Sequence, residues 1–170
     1  MATERGCTTM RVSALLFGLW VLLLFLPMSA FAADPAPSFQ IPTNDGVIEL
    51  KDLKGEVVYL DFWASWCGPC RKSMPWLNRM QEKYDDAGFR VIGVNLDKER
   101  ELADEFLQTV PVNFQLVYDP EGKLASQYQL LGMPNSFMIG RDGMIQQRHV
   151  GFMESKLAEY EEQILQLLKQ

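Results

Sequence analysis

The chain has 170 residues, a formal net charge of -6 and 48% hydrophobic residues, enough for one domain with an ordinary core and a short leader. Its longest run of adjacent basic residues is the pair Arg71-Lys72. The sequence therefore lacks the basic surface with which proteins bind nucleic acid. These features favour a single acidic domain and exclude nucleic acid as a partner.

The N-terminal residues have the pattern of an export signal. Two arginines precede an uncharged apolar run at 12–26, and small residues follow it. The pattern predicts a signal peptide in residues 1–33, cleaved after Ala32 or Ala33. The alternative is a retained signal anchor, because residues 12–33 carry no charge and are just long enough to cross a bilayer. In both cases the rest of the chain is exported, to the periplasm or an equivalent compartment.

The three cysteines divide at this leader. Cys7 precedes the apolar run, so it is either removed with the signal or left on the cytoplasmic side. The exported part then holds only Cys67 and Cys70, and such a pair normally closes into a disulfide in an oxidising compartment. Residues 34–38 are expected to be a short extended linker, followed by one domain at 39–170.

Hydrophobic periodicity predicts strands and helices in alternation along this domain. The predicted strands are, in chain order, 39–41, 47–49, 57–63, 89–95, 115–118, 136–139 and 144–150. The first two form a hairpin around the turn Asn44-Asp45-Gly46, and the last two form a second hairpin.

The predicted helices fill the gaps between the strands. They run from Cys67 to a stop at Gly88, with a kink at Pro75, and over 99–108, 124–128 and 157–168. Strands that alternate with helices predict an α/β fold, and the closing hairpin makes the central sheet mixed.

The pair Cys67 and Cys70 has three possible uses. Structural zinc needs four ligands, and His149 is the only other soft ligand in the exported chain. A structural disulfide gains little here, since closing so short a loop hardly constrains the unfolded chain. A reversible redox couple explains the local sequence best.

The redox interpretation follows from the position of Cys67 at the start of a helix. The helix dipole and unpaired N–H groups there stabilise a thiolate, so the pKa of Cys67 is expected below its ordinary value of about 8.5. Gly68 permits a tight turn, and Pro69 fixes the first helical turn without losing a hydrogen bond. Cys67 is expected to attack a substrate disulfide, and the more buried Cys70 to resolve the mixed disulfide.

Asp61 is the candidate base for Cys70. It lies in the middle of the apolar strand 57–63, where burial of an ionised carboxylate is costly and raises its pKa. A water molecule is expected to connect it to Cys70. The alternative is an Asp that lies at the sheet edge or caps a neighbouring turn, without a catalytic role.

The segment DFWASWCGPC, residues 61–70, closely resembles the active-site segment of thioredoxins, as does Pro75 in the following helix. The hairpin ahead of the first core strand, and the stretch from Asn95 to Pro134, are more similar to the TlpA-like branch, which includes ResA and CcmG-type proteins. The resemblance covers residues 39–170. It implies a thioredoxin-like fold, a central mixed sheet flanked by helices, with an extra N-terminal β-hairpin.

The resemblance also implies a substrate-binding surface. Pro134 matches a proline that is cis in this family and faces the cysteines. Met133 before it is expected to pair through its main chain with an extended substrate segment. Trp66 is expected to form an apolar platform beside Cys67, whereas Trp63 belongs to the core. An ordinary trans proline in a loop is the alternative.

The sequence departs from the family pattern at several positions. Met133 is bulkier than the usual residue, and Asn135 and Gly140 stand where the family often has Thr and Asp. Ser73 replaces an acidic residue of several TlpA-like proteins, and Asp61 is more typical of thioredoxin. These differences leave the exchange chemistry intact but leave the substrate and the direction of electron flow open.

The resulting hypothesis is an exported thiol–disulfide oxidoreductase that reduces protein disulfides, in cytochrome c maturation as the family suggests. It needs no cofactor or metal, and a membrane redox partner is expected to recycle the cysteines. The alternatives are an oxidising exchange protein and a Cu(I) carrier. Copper-delivery relatives use a CxxxC spacing and a downstream His, whereas His149 is expected to be exposed. A peroxidase is disfavoured, because Leu60 and Ala64 replace the Pro and Thr of peroxiredoxin sites.

Overall fold

The structure is a computed structural model that describes residues 34–43 and 46–170. The predicted signal peptide or anchor, and Asn44 and Asp45 of the predicted turn, lie outside the described residues. Within the described ranges, no helix has the length and apolar character needed to cross a bilayer.

In the residues that the structure describes, seven strands form two sheets. The hairpin strands β1 (Gln40–Thr43) and β2 (Gly46–Glu49) pair antiparallel as a separate two-stranded sheet. The central sheet contains β3 (Val57–Trp63), β4 (Phe89–Asn95), β5 (Gln115–Tyr118), β6 (Asn135–Ile139) and β7 (Ile145–Val150). Its strand order is β5-β4-β3-β6-β7. β3, β4 and β5 run parallel, whereas β6 is antiparallel to both β3 and β7, so the sheet is mixed as predicted.

Four α-helices accompany the central sheet in the described part of the chain. They are α1 (Gly68–Tyr84), α2 (Arg100–Thr109), α3 (Lys123–Gln127) and α4 (Leu157–Leu168). The first begins one residue after its predicted start and ends at Tyr84, before the predicted stop at Gly88. The other three lie within one residue of their predicted bounds. α1 continues through Pro75, the predicted kink site. The predicted α/β thioredoxin-like architecture with an added hairpin is therefore confirmed.

The central strand β3 is buried along its whole length, as its continuous apolar run predicts. Its side chains alternate between two cores. Val58, Leu60 and Phe62 pack with residues of the N-terminal hairpin and α3. Tyr59 packs with residues of α1 and α4 on the opposite face, and Asp61, two residues on, shares that face.

The predicted linker is extended and hydrogen-bonded to the domain. Ala36 N–H donates to the Gly143 carbonyl at 3.1 Å, and Ile145 N–H donates to the Asp34 carbonyl at 2.8 Å. The Tyr128 hydroxyl donates to the Pro37 carbonyl at 2.8 Å. Residues 34–37 therefore cover part of the edge strand β7 and the turn before it.

The strand order brings two distant loops together. Because β6 is antiparallel to β3, the start of β6 lies beside the end of β3, and Asn135 pairs with Phe62. The loop after β3 carries Cys67, and the loop before β6 carries Pro134. The topology thus juxtaposes the two segments that the sequence singles out.

The space around Gly93 in β4 is tightly packed. A Cβ at this position would lie 2.9 Å from Leu116 Cδ2 and 3.1 Å from both Phe114 Cε2 and Trp63 Nε1. We expect Gly93→Ala to lower the free energy of unfolding by about 1–3 kcal/mol, because an added methyl overpacks a filled core. Urea unfolding followed by tryptophan fluorescence measures the change.

Gly132→Ala is the matched control, since the nearest atom to its added Cβ is Val150 Cγ1 at 3.8 Å, an ordinary contact. Its effect should stay within about 0.5 kcal/mol. Equal stability of Gly93→Ala and the wild type would contradict the tight packing.

Candidate active site

Cys67 and Cys70 form a disulfide at the start of α1, with their Cα atoms 5.3 Å apart. Cys67 is the N-cap residue of the helix, and its Sγ accepts a hydrogen bond from the Cys70 N–H at 3.3 Å. The first N–H groups of a helix have no partner within the helix. The sulfur of Cys67 therefore lies where a negative charge is stabilised on reduction. Cys70 is fully buried beneath it.

The loop ahead of Cys67 is fixed by Asp97, a residue that the sequence interpretation missed. The buried carboxylate of Asp97 accepts from Ser65 N–H at 2.9 Å and from the Ser65 hydroxyl at 2.8 Å. Asn95 Nδ2 donates to the same carboxylate at 2.7 Å. Asp97 could have been found from its position in the sequence. It follows the end of β4, and the loops after neighbouring parallel strands lie at the same edge of the sheet.

Asp61 lies on the sheet face that α1 covers, and Cys70 is the first buried residue of that helix. Only 2% of Asp61 is exposed, and burial raises the pKa of its carboxyl to about 8. Its Oδ2 has no hydrogen-bond partner among the described residues. Asp61 thus lies in the sheet centre, neither at an edge nor in a turn cap.

The peptide bond between Met133 and Pro134 is cis, the isomer that the resemblance implies. Pro134 is buried, and Met133 packs against the cluster that contains Cys67 and Cys70. No backbone hydrogen bond within the described part of the chain uses the N–H or C=O of Met133. These groups are available to an extended segment of another protein.

The loops that carry Cys67 and Pro134 each expose one large apolar side chain. Trp66, directly before Cys67, is 67% exposed, while Trp63 is fully buried in the core. Leu131 in the loop before Pro134 is 75% exposed. Large exposed apolar groups mark a surface that binds another molecule when they cluster.

His149 is not an exposed side chain, so that prediction was wrong. Its ring is half-buried, because α4 packs over β7 and places Tyr160 at 4.8 Å between ring centroids. His149 Nε2 lies 2.8 Å from Gln163 Oε1. A terminal strand covered by a helix was not evident from the alternation of residues 144–150 alone.

Ser73 and Asn135, two further departures from the family pattern, are buried polar residues like Asp61. Ser73 donates its hydroxyl to the Cys70 carbonyl at 3.1 Å, so it caps a backbone group of its own helix. Asn135 is fully buried, and neither of its amide atoms has a partner in the described residues. Gly140 is another departure, and a Cβ added there would lie 2.9 Å from Asp142 Oδ1.

Burial of Asp61 makes stability depend on pH. The pKa of this carboxyl is about 8 in the folded chain against 3.8 for an exposed one. Between these values the folded chain keeps a proton that the unfolded chain has lost, so stability falls as pH rises from about 4 to 8. Asp61→Asn should remove this slope, worth up to about 1.4 kcal/mol per pH unit. Urea unfolding of the disulfide form at pH 5, 7 and 9 tests it; parallel profiles would refute it.

Asp97→Ala should destabilise the active-site loop. It leaves three donors on Ser65 and Asn95 without an acceptor, and we expect a loss of about 2–4 kcal/mol in the free energy of unfolding. Asp97→Asn is the control, because its amide oxygen can accept from Ser65 N–H and Asn95 while its amide nitrogen donates to the Ser65 hydroxyl. Thermal unfolding compares them. If both variants lose the same stability, the hydrogen bonds are not the cause.

Comparison with known proteins agrees with this geometry. The AhpC/TSA family matches residues 32–148. The thiol-disulfide oxidoreductase ResA of Bacillus cereus is 32% identical over 157 residues, covering 84% of this chain and 91% of the relative.

Solved structures share the fold. The structure described as a thiol:disulfide interchange protein DsbE from Chlorobium tepidum is 48% identical, covers 82% of this chain and 99% of its own, and has a TM-score of 0.76. StoA from Bacillus subtilis is 26% identical, with 75% and 96% coverage and a TM-score of 0.63. The chain therefore belongs to the thioredoxin-like AhpC/TSA family, in its TlpA-like branch of ResA and CcmG-type proteins.

Proposed function

We propose that this protein is an exported thiol–disulfide oxidoreductase that reduces disulfides of protein substrates. The observation that carries the proposal is the Cys67–Cys70 disulfide at the N-terminus of α1. Family membership supports it, because the similar ResA protein is named for this activity. The charged-then-apolar pattern of residues 1–33 supports export.

The reaction consists of two exchanges. The Cys67 thiolate attacks one sulfur of a substrate disulfide, forms a mixed disulfide and releases the other substrate sulfur as a thiolate. Asp61 then removes the proton of Cys70, whose thiolate attacks the Cys67 sulfur. The Cys67–Cys70 disulfide forms, and the second substrate sulfur leaves and takes a proton from water. Two electrons pass from the protein to the substrate.

The substrate lies along the loop before β6. Met133 offers its free N–H and C=O to an extended segment, and Pro134 donates no hydrogen bond that would compete. Trp66 covers apolar side chains that flank the substrate disulfide. Gly68 and Pro69 are both exposed, so the substrate can approach the sulfur of Cys67 closely.

A dithiol partner must return two electrons to the oxidised protein. We assign this role to a membrane redox protein, and place the domain in the periplasm, either released or tethered to the inner membrane through residues 12–33. Asp61 and the Gly68-Pro69 dipeptide support the reducing direction. The family resemblance suggests cytochrome c maturation as the process in which these disulfides are reduced.

Trapping tests the function. We expect Cys70→Ser to accumulate mixed disulfides through Cys67, because the second exchange is blocked, and to lose turnover of a disulfide-bonded protein such as insulin. Cys67→Ser should lose turnover without trapping anything, since Cys70 is fully buried. Non-reducing gels and mass spectrometry identify the products.

Two results would overturn the proposal. Tight Cu(I) binding combined with no disulfide reduction by the wild type would indicate a metal carrier. A reduction potential near about -120 mV, that of a strong oxidant, would reverse the direction of exchange.

A further inference from the structure

A row of polar side chains crosses three adjacent strands. Asp61 of β3 pairs with Ser136 of β6, and Ser136 pairs with His149 of β7. Residues directly opposite in antiparallel strands point to the same face, with Cβ atoms about 4.5–5.5 Å apart. The row therefore connects the buried carboxyl to the side chain of a half-buried histidine.

Both ends of the row carry polar atoms that lack a partner. Asp61 Oδ2 and His149 Nδ1 are buried and form no hydrogen bond with any residue that the structure describes. Between them lies Ser136, which is itself buried. A buried polar group without a partner is costly, so two of them on either side of one hydroxyl call for a function or a bridging water.

Tyr59 orients the central hydroxyl. Its OH lies 2.9 Å from Ser136 Oγ. Burial raises the pKa of Tyr59, so Tyr59 keeps its proton and can donate it in this hydrogen bond. The hydroxyl proton of Ser136 is then free to be shared with Asp61 on one side or His149 on the other.

The contacts of His149 fix its tautomer. Gln163 Oε1 can only accept, so His149 Nε2 is the donor and Nδ1 holds the lone pair. Burial lowers the pKa of His149, so the ring is neutral near pH 7 and Nδ1 can accept a proton. The ionisable groups that face the ring are Tyr59 of β3, Tyr160 and Glu159 of α4, and Lys156 before α4.

The space on the β4 side of Asp61 is filled by side chains that cannot relay a proton. The neighbour of Asp61 in β4 is Gly93, and the space where a Gly93 side chain would lie is filled by Leu116, Phe114 and the indole of Trp63. The buried Trp63 Nε1 has no hydrogen-bond partner among the described residues, but an indole N–H only donates and has no lone pair that accepts a proton. Ser136 and His149, on the β6 side, can do both.

We propose that Ser136 and His149 carry protons between the Asp61 carboxyl and solvent. This rests on the proposed function, in which Asp61 must lose its own proton before it can accept that of Cys70. Asp61 passes its proton to Ser136 Oγ, and the hydroxyl proton of Ser136 moves to His149 Nδ1. The imidazolium then releases its Nε2 proton to water, and the Gln163 amide rotates so that its NH₂ group donates to Nε2. No electrons move, and a side-chain rotation or one water spans each gap between strands.

Rapid mixing of the reduced protein with a disulfide-bonded peptide separates attack by Cys67 from resolution by Cys70. At pH 7, Ser136→Ala and His149→Gln should slow resolution about tenfold or more and leave the attack rate unchanged. Ser136→Thr keeps the hydroxyl and should keep the wild-type rate. At pH 9, where most Asp61 carboxyls are already ionised, all variants should approach the wild type.

Wild-type resolution rates in both Ser136→Ala and His149→Gln at pH 7 would refute the proton path. So would an equal loss in Ser136→Thr and Ser136→Ala, or a defect that persists at pH 9, because these results indicate altered packing. Absence of the attack phase in the wild type would instead refute the proposed function. Circular dichroism confirms that each variant is folded before the comparison.

Discussion

The antiparallel pairing of β6 with β3 is the constraint on which the site depends. β3 ends four residues before Cys67, and β6 begins directly after Pro134. The Phe62–Asn135 pair therefore holds the loop that carries Cys67 beside the loop that carries Pro134. A slip of one residue in this register would turn every side chain of β6 to the other face. It would also separate Ser136 from Asp61. The register therefore determines both the proposed substrate-binding surface at Pro134 and the buried row of Asp61, Ser136 and His149.

A second constraint is the contrast between two buried carboxyl groups. Asp97 accepts hydrogen bonds from Ser65 and Asn95, and these bonds compensate its burial. Asp61 has an unpartnered oxygen in the described structure, and burial raises its pKa. The first carboxyl holds the active-site loop, whereas the second is suited to exchange a proton. Hydrogen bonding, rather than depth, separates their proposed roles.

Most of the fold could be predicted from the sequence, because the strands 57–63 and 89–95 are continuous apolar runs and the helices have regular spacing. The segment 61–70 also indicated the site itself. Contacts made by distant polar residues could not be predicted. Asp97 and His149 look like ordinary surface residues in the sequence, and only the pairing of strands and the packing of α4 bring them to the loop and the core.

The alternation of β3 between two cores has a consequence for engineering the protein. Val58, Leu60 and Phe62 contact the hairpin side, which carries none of the sulfur chemistry, whereas Tyr59 and Asp61 share the side of Cys70. Both faces contribute to stability, but the redox helix lies on one face only. Substitutions at Val58, Leu60 and Phe62 would therefore change the packing of the domain without altering a side chain on the face of Cys70.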